Sequence, residues 1–257
     1  MSVVIVCAVA LLASGLTFFS GFGLGTLLLP AFALFYPIEQ AITLTAIVHF
    51  LNGLFKLALV GRRAHFGIVV AFGLPAVAAA LAGAWALSWL SEINPLVRYS
   101  LMGREFLVLP AKLTVGLLLL LFSLAEMLPR VRDVSFPPRY FMLGGLVSGF
   151  FGGLSGMQGA LRSAFLARAG LSKDAFIATG VVIACLIDVS RLGVYAHTIS
   201  TERANLDLGL LGAAVLSAFA GAMIGNRYLK KLTMKSIQRV VAAMLLCVAV
   251  GLMTGLL

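Results

Sequence analysis

Apolar runs separated by short polar connections make up almost the whole chain. A helix needs about 20 predominantly apolar residues to cross a bilayer, and several of the runs approach or exceed that length. The connections are rich in proline, glycine and basic residues, which mark helix ends and loops. The pattern predicts helices at about residues 3–19, 26–36, 41–60, 67–90, 113–128, 140–154, 160–168, 175–198, 206–226 and 237–257.

Two of the apolar runs are interrupted by glycines. One interruption lies at Gly21 to Thr26, and the other, Phe150 to Arg162, contains four glycines, a glutamine and an arginine. Glycine weakens a helix interior by about 1 kcal/mol relative to alanine, and arginine in hydrocarbon costs at least ~2.5 kcal/mol. Irregular backbone at membrane depth is tolerated only where it is buried in protein or lines a water-filled cavity. We therefore predict that both helices break here, beside a polar cavity.

The two interrupted runs indicate an internal duplication. Shifting the chain by 134 positions places Ser14 on Ser148 and Gly25 on Gly159. The alternative is that two glycine-rich membrane helices resemble each other by composition alone. We predict an all-α, polytopic membrane bundle of two repeats, each beginning with a glycine-broken helix. The first repeat covers residues 1–128, a connecting loop covers 129–139, and the second repeat covers 140–257.

Composition restricts the chain to the class of integral helical membrane proteins. Hydrophobic residues make up 61% and charged residues 11% of the chain, and the mean hydropathy is +1.10; a soluble domain does not have this balance. The net charge of +10 could indicate nucleic acid binding, but the basic residues are scattered through short loops, as membrane topology requires. The three cysteines lie apart in apolar runs, which argues against disulfides and zinc sites. We expect residues 3–19 to be a retained membrane segment.

The basic residues indicate which loops share a side of the membrane. If each broken helix folds back as a hairpin, twelve loop Lys and Arg residues lie on one side and four on the other; if each crosses once, the split is ten to six. Because Lys and Arg accumulate in cytoplasmic loops, the sharper asymmetry favours hairpins over tilted crossings, which stay an alternative. Hairpins predict inverted repeats with both termini periplasmic. We expect the semi-polar stretch 95–111 to be interfacial or re-entrant.

Polar residues in the long segment after each break predict a charged cavity. His49, Asn52 and Lys56 share one helical face because they are spaced three and four residues apart, and Asp188 and Arg191 can pair on one face. Ionisable residues inside a membrane segment usually face the bundle interior and mark a pathway. Lys56 and Arg191 could instead snorkel to the interface. His49 and Asp188 are the candidates for carrying a coupled proton, with sodium as the alternative coupling ion.

An anion is the ligand that these groups predict. Arg162 adds a positive charge to Lys56 and Arg191, and the start of a half-helix presents unpaired N–H groups at its positive end. Such ends bind phosphate, sulfate or carboxylate groups, and glycines let the ligand approach the backbone; the glycines could instead serve close helix packing. The predicted substrate-binding residues are Gly23, Gly25, Thr26, Asn52, Lys56, Ser155, Gln158, Gly159, Arg162 and Arg191, with no metal or cofactor site.

The glycine-rich breaks at Gly21 to Thr26 and Gly152 to Gly159, the duplication and the size of the chain resemble the sulfite exporter TauE/SafE family of anion permeases. The resemblance covers essentially the whole chain. It implies a transporter rather than an enzyme, one that moves a small, sulfur-containing anion such as sulfite or a sulfonate. We expect it in the bacterial inner membrane, with export as the direction. The partners it implies are the anion, a coupled H+ or Na+ and the lipid bilayer; the sequence does not indicate an oligomeric state.

Two other functions fit parts of the sequence. An anion channel would use the same charged residues. Gly153-Leu154-Ser155-Gly156 matches the G-x-S-G of rhomboid intramembrane serine proteases, and Ala196-His197 resembles their histidine dipeptide. A serine nucleophile needs a histidine within hydrogen-bond reach. In the rhomboid family a glycine stands two positions after that histidine, whereas Ile199 stands there in this chain, which argues against the protease.

Overall fold

The computed structural model describes residues 2–20, 24–101, 103–128, 131, 134–201, 207–228 and 235–257. In this part of the chain, ten α-helices follow the apolar runs, joined by 3₁₀ turns at Gly61–Arg63 and Pro138–Tyr140. The helices are α1 (Ser2–Ser20), α2 (Leu24–Ala33), α3 (Ile38–Val60), α4 (Phe66–Glu92), α5 (Pro110–Met127), α6 (Phe141–Ser155), α7 (Gly159–Leu166), α8 (Lys173–Thr201), α9 (Leu208–Tyr228) and α10 (Lys235–Thr254).

The helical class and the membrane character follow from these elements. Among the described residues, α3, α4, α8 and α9 are long and apolar enough to cross a membrane, and shorter apolar helices lie in α1, α2, α5 and α10. Large apolar side chains also cover the outside of the bundle: Phe66 is 78%, Leu216 68% and Trp85 67% exposed. A soluble monomer rarely exposes so much contiguous apolar surface, whereas lipid accommodates it.

The prediction of an all-α fold is wrong in one place. The semi-polar stretch after α4 forms an antiparallel hairpin of strands β1 (Val97–Leu101) and β2 (Arg104–Val108), which pair Leu101 with Arg104. Gly103, with a φ of +76°, lies in the two-residue connection. The rings of Tyr99 and Phe106 stack across the strands at 5.4 Å, and such cross-strand aromatic pairs stabilise a hairpin. The Tyr99 hydroxyl donates a hydrogen bond to the carbonyl of Thr254, 2.5 Å away.

Two helix pairs pack backbone against backbone through glycines. A Cβ atom added to Gly145 or Gly149 of α6 would collide with the backbone of Phe72 or Ala76 in α4. A Cβ atom added to Gly221 or Gly225 of α9 would collide in the same way with α1. In both helix pairs, a later residue of one helix contacts a later residue of the other. Therefore α6 runs parallel to α4, and α9 runs parallel to α1. Small residues at membrane helix contacts allow this close approach.

The helices α3 and α8 pack antiparallel and carry the polar residues of both halves. At one end, Arg63 forms an ion pair with Asp174, and the backbone N–H of His65 donates to the hydroxyl of Thr179 at 2.9 Å. At mid-length, the Nδ1 atom of His49 lies 2.5 Å from a carboxylate oxygen of Asp188. The antiparallel packing therefore brings polar groups that are far apart in sequence together at the centre of the bundle.

The short helix α7 doubles back beside α6. The ring of Phe165 stacks on that of Phe136, which precedes α6, with 4.4 Å between the centroids. The backbone N–H of Phe136 also donates to the carbonyl of Ala164 at 3.2 Å. Gly144, near the start of α6, leaves room for the ring of Phe165, which a Cβ atom would strike. The end of α7 thus lies beside the beginning of α6.

Candidate functional site

The connection between α6 and α7 is the short turn Gly156-Met157-Gln158, which Ser148 of α6 holds in place. Gly156 adopts a φ of +79°, which favours glycine, and its N–H closes α6 on the carbonyl of Gly152 at 2.9 Å. The hydroxyl of Ser148 donates to the carbonyl of Gln158 at 3.2 Å, immediately before α7 begins at Gly159. This backbone arrangement fixes the direction in which α7 leaves the turn.

The start of α2 lies against that turn. A Cβ atom on Gly25 would lie 3.2 Å from the carbonyl oxygen of Gly156 and 3.6 Å from the ring of His49. Gly23, the other glycine predicted to bind substrate in this region, is outside the described residues. Thr26 is buried and lines neither the cavity beside this turn nor the one at the other end of α3. The two glycine-rich regions, 134 positions apart in the alignment of the halves, therefore meet in space.

A cavity of ≈ 60 Å³ lies beside this meeting point. One water needs a cavity volume of about 10–15 Å³, so this cavity accommodates a few waters or a small ion. Among the described residues, two positively charged side chains line it, Lys56 and Arg162, and no carboxylate does. Its lining residues are Thr17, Leu24, His49, Asn52, Gly53, Lys56, Arg162, Ser163, Leu166, Phe176, Ile177, Gly180, Val181 and Ala184.

Neighbouring polar groups orient the cavity side chains. Arg162 lies in the first turn of α7, is 8% exposed and donates from Nη1 to the side-chain oxygen of Gln158 at 3.0 Å. Asn52 accepts a hydrogen bond from the hydroxyl of Ser14 at 3.1 Å, which leaves the amide nitrogen as the end that can donate to a ligand. Lys56 lies one turn after Asn52 and is also 8% exposed.

Asp188 is the buried centre of a charged cluster behind the cavity. One carboxylate oxygen contacts His49 Nδ1 at 2.5 Å, and the other accepts from Arg191 Nε at 3.0 Å. Gln158 Nε2 also reaches that oxygen at 3.5 Å. The predicted pairing of Asp188 with Arg191 is thereby confirmed. A direct pair between Asp188 and Arg162 is absent from the described contacts, because Gln158 stands between them.

Other predicted residues lie outside the cavity. The hydroxyl of Ser155 donates to the carbonyl of Phe151 at 3.0 Å, one turn back in α6. Gly159 is the first residue of α7, and Arg191 is fully buried beside Asp188. For the protease alternative, no histidine contacts Ser155 among the described side chains; the side chain of His197 is outside them.

A second cavity lies at the opposite ends of α3 and α8. It has a volume of ≈ 410 Å³ and is lined by the beginning of α3, the end of α4 and Tyr195 of α8. The Tyr195 hydroxyl donates to the carbonyl of Gly153 in α6 at 2.6 Å. Its lining residues are Glu39, Thr43, Leu87, Ser88, Ser91, Glu92 and Tyr195.

Sequence reasoning missed two residues that complete the arrangement. Ser14 orients Asn52, and the repeat already marked it, since it aligns with Ser148. Tyr195 lies one helical turn beyond Arg191, on the same face of α8, but a lone tyrosine in an apolar helix gives no signal of its own. Ser14 thus acts on the cationic cavity through Asn52, and Tyr195 belongs to the wall of the larger one.

Comparison with known proteins identifies the family. The family model for the sulfite exporter TauE/SafE matches residues 6–252, nearly the whole chain. A comparison with curated proteins gives no match. The match agrees with the apolar helices and with a cationic cavity inside the bundle. The chain belongs to the sulfite exporter TauE/SafE family.

Proposed function

We propose that this protein is a permease that exports a small, sulfur-containing anion, such as sulfite or a sulfonate, across the bacterial inner membrane. The observation that carries the proposal is the cavity with Lys56 and Arg162, and no carboxylate, among its described lining residues. Both cations are nearly buried, and a small oxyanion beside them would accept charge-assisted hydrogen bonds, which are stronger than neutral ones. Asn52 would add a neutral donor.

A carrier fits the arrangement better than an anion channel does. The two cavities lie at opposite ends of α3 and α8. His49 lines one and Tyr195 lines the other, and Asp188 and Arg191 lie between these two residues. Tyr195 hydrogen-bonds to α6 at Gly153, and Asp188 contacts α3. A channel needs a continuous path, whereas alternating access needs a closed layer between two openings.

We also propose that the halves are inverted repeats, each built around a broken first helix. The support is a matched pair of contacts. Leu11 and Gly15 of α1 contact Gly221 and Gly225 of α9, while Gly145 and Gly149 of α6 contact Phe72 and Ala76 of α4. The shift of 134 residues that aligns the halves places Leu11 on Gly145 and Gly15 on Gly149. A second shift, the same for both residues, places Phe72 on Gly221 and Ala76 on Gly225, so the two contacts are equivalent. The first helix of each half thus packs on the third long segment of the other.

Two further contacts favour hairpins over tilted crossings. Arg63 after α3 pairs with Asp174 at the start of α8, and Tyr99 of the β-hairpin bonds to Thr254 near the C-terminus. If each broken helix crossed the membrane once, both contacts would join residues on opposite sides. With hairpins, both contacts join residues on one side.

Cysteine labelling tests this topology. In a variant with Cys7, Cys185 and Cys247 replaced by alanine, Arg62→Cys is expected to react with a membrane-impermeant maleimide only from the cytoplasm. Val97→Cys in the β-hairpin is expected to react only from the periplasm, as are cysteines added at the two termini. Labelling of either terminus from the cytoplasm would contradict the inverted arrangement.

The pair His49–Asp188 is where we propose that a proton couples to transport. His49 lines the cavity and contacts Asp188, which also faces Arg191, Gln158 and, through Gln158, Arg162. The nearby groups on their own helices are Lys56 on α3 and Cys185 on α8. A proton entering from the cavity can therefore reach Asp188 through one imidazole.

His49→Gln tests that coupling. The variant is expected to retain anion binding within about threefold, because the cations are untouched, and to lose the acceleration of flux by a pH gradient. His65→Gln, at an exposed turn before α4, serves as the control, and its flux is expected to be accelerated by the pH gradient as in the unmodified protein. A flux that follows a sodium gradient and ignores His49→Gln would show that the pair does not couple transport.

The proposed function itself is tested by flux. The full chain is reconstituted in liposomes and supplied with ³⁵S-labelled sulfite, thiosulfate, sulfate and taurine in separate experiments. We expect saturable transport of sulfite or a sulfonate. We also expect counterflow, in which unlabelled substrate inside the liposomes drives the entry of labelled substrate, and which a channel does not give. Absence of transport for the whole panel by protein that retains its fold would overturn the proposal.

A further inference from the structure

Arg191 is the largest fully buried side chain of the bundle and has few hydrogen bonds for its charge. A guanidinium carries five N–H donors. Its Nε–H donates to Asp188 Oδ1 at 3.0 Å, and Nη2 lies 2.8 Å from that same oxygen. The Nη2 contact lacks hydrogen-bond geometry, so neither Nη1 nor Nη2 has a hydrogen-bond acceptor among the described residues. Buried donors of this kind call for an explanation, since nearly all of them are paired in proteins.

Along α8, Arg191 lies between Ala184, which lines the first cavity, and Tyr195, which lines the second. Nη1 lies against Gly156 in the turn after α6, where a Cβ atom would be 2.7 Å away. Towards one cavity, Asp188 and His49 connect it to the lining. Towards the other, Tyr195 follows one turn along α8 and lines the wall. An anion that moved along α8 from the first cavity to the second would therefore pass this guanidinium.

Asp188 holds Arg191 in a way that an anion can replace. Both nitrogens that face Asp188 share one carboxylate oxygen, while the other oxygen contacts His49. A guanidinium binds a planar or pyramidal oxyanion through two parallel N–H donors, and Nη1 and Nη2 form such a pair of donors. An arriving oxyanion could thus take the two terminal nitrogens while Asp188 stays on Nε and His49.

We infer that Arg191 is a second, transient binding site for the transported oxyanion, which receives it from Lys56 and Arg162 when the layer between the cavities opens. The inference rests on the proposed function and adds a step to it. Arg191 contributes to passage rather than to initial capture, because it does not line the cavity in which Lys56 and Arg162 lie. Its alternative role is that of a counter-ion that only neutralises Asp188.

The experiment separates these roles with neutral substitutions at one or both members of the pair. Arg191→Gln, Asp188→Asn and the double variant are prepared as full chains and reconstituted in liposomes. Binding of sulfite and flux of ³⁵S-sulfite are measured for each, and folding is followed by gel filtration and thermal unfolding. The double variant removes both charges of the pair together, so it avoids the uncompensated charge that either single variant leaves at this position.

We expect the double variant and Arg191→Gln to bind sulfite within about threefold of the unmodified protein and to exchange labelled for unlabelled sulfite, which needs no net proton movement through Asp188, at least about tenfold more slowly. Arg191→Lys, which keeps the charge but not the fork, is expected to be slowed as well. Recovery of flux in the double variant would overturn the inference, because it would make Arg191 a counter-ion only. So would an unchanged flux in Arg191→Gln. Failure of the unmodified protein to bind or move any anion would instead contradict the proposed function.

Discussion

Arg162→Lys is expected to give a folded protein that binds sulfite at least about tenfold more weakly. The guanidinium projects from the first turn of α7 and is held by Gln158 at 3.0 Å, so its remaining donors are available as a fixed fork. Lysine keeps the charge but loses bidentate contact with an oxyanion. A hydrogen bond to a charged group contributes about 1.5–3 kcal/mol, and 1.4 kcal/mol corresponds to a factor of about ten in affinity.

Titration calorimetry of the full chain in detergent measures this effect. Arg168→Lys, at an exposed position in the turn after α7, is the matched control and should bind like the unmodified protein. Asp188→Asn should be milder than Arg162→Ala, because Asp188 does not line the cavity. Normal binding by Arg162→Lys would contradict the account. Failure of both Arg162→Ala and Asp188→Asn with recovery in Arg162→Ala/Asp188→Asn would also contradict it, because Arg162 would then be a structural partner of Asp188.

Gly25→Leu is expected to abolish transport without unfolding the protein. Even a single Cβ atom on Gly25 would lie 3.2 Å from the carbonyl oxygen of Gly156, and it would face the ring of His49. A leucine therefore forces the two glycine-rich regions apart and displaces the turn that positions Arg162. Overpacking of this kind costs about 1–3 kcal/mol, which a bundle of ten helices tolerates.

The control for that substitution is Gly193→Leu on the exposed face of α8, where nothing lies within 4 Å of an added Cβ. It should transport at the normal rate. Flux of labelled sulfite and thermal unfolding are measured together for both variants. Transport by a folded Gly25→Leu protein would show that the contact between the two regions is not part of the pathway.

The apolar pattern of the sequence predicted the helices. Each predicted run became a helix within a few residues, for example 160–168 as Gly159–Leu166. The reason is that a membrane helix is selected by one simple quantity, the apolar length of a segment. The position of Arg162 in the first turn of a new helix was predictable too, because the glycine-rich break from Gly152 to Gly159 ends three residues before it.

Other features depend on contacts that one sequence does not contain. The β-hairpin was missed because Val97–Leu101 and Arg104–Val108 are short, semi-polar and flanked by helices; the two-residue connection with Gly103 was the available signal. Gln158 was predicted as a ligand donor, yet its side chain connects Arg162 with Asp188. Tyr195 gained its place through packing of α8 on α6, which no local pattern specifies.

The proposed function requires that the transported anion is bound between Lys56 and Arg162. Selenite, the selenium analogue of sulfite, tests it directly, since selenium scatters X-rays anomalously. In crystals of the full chain grown with selenite, we predict one strong anomalous peak in the cavity lined by Lys56, Arg162 and Asn52, and its loss in Arg162→Ala crystals. A protein that transports selenite but shows no selenium peak in this cavity, whether or not a peak lies elsewhere in the bundle, would contradict the account.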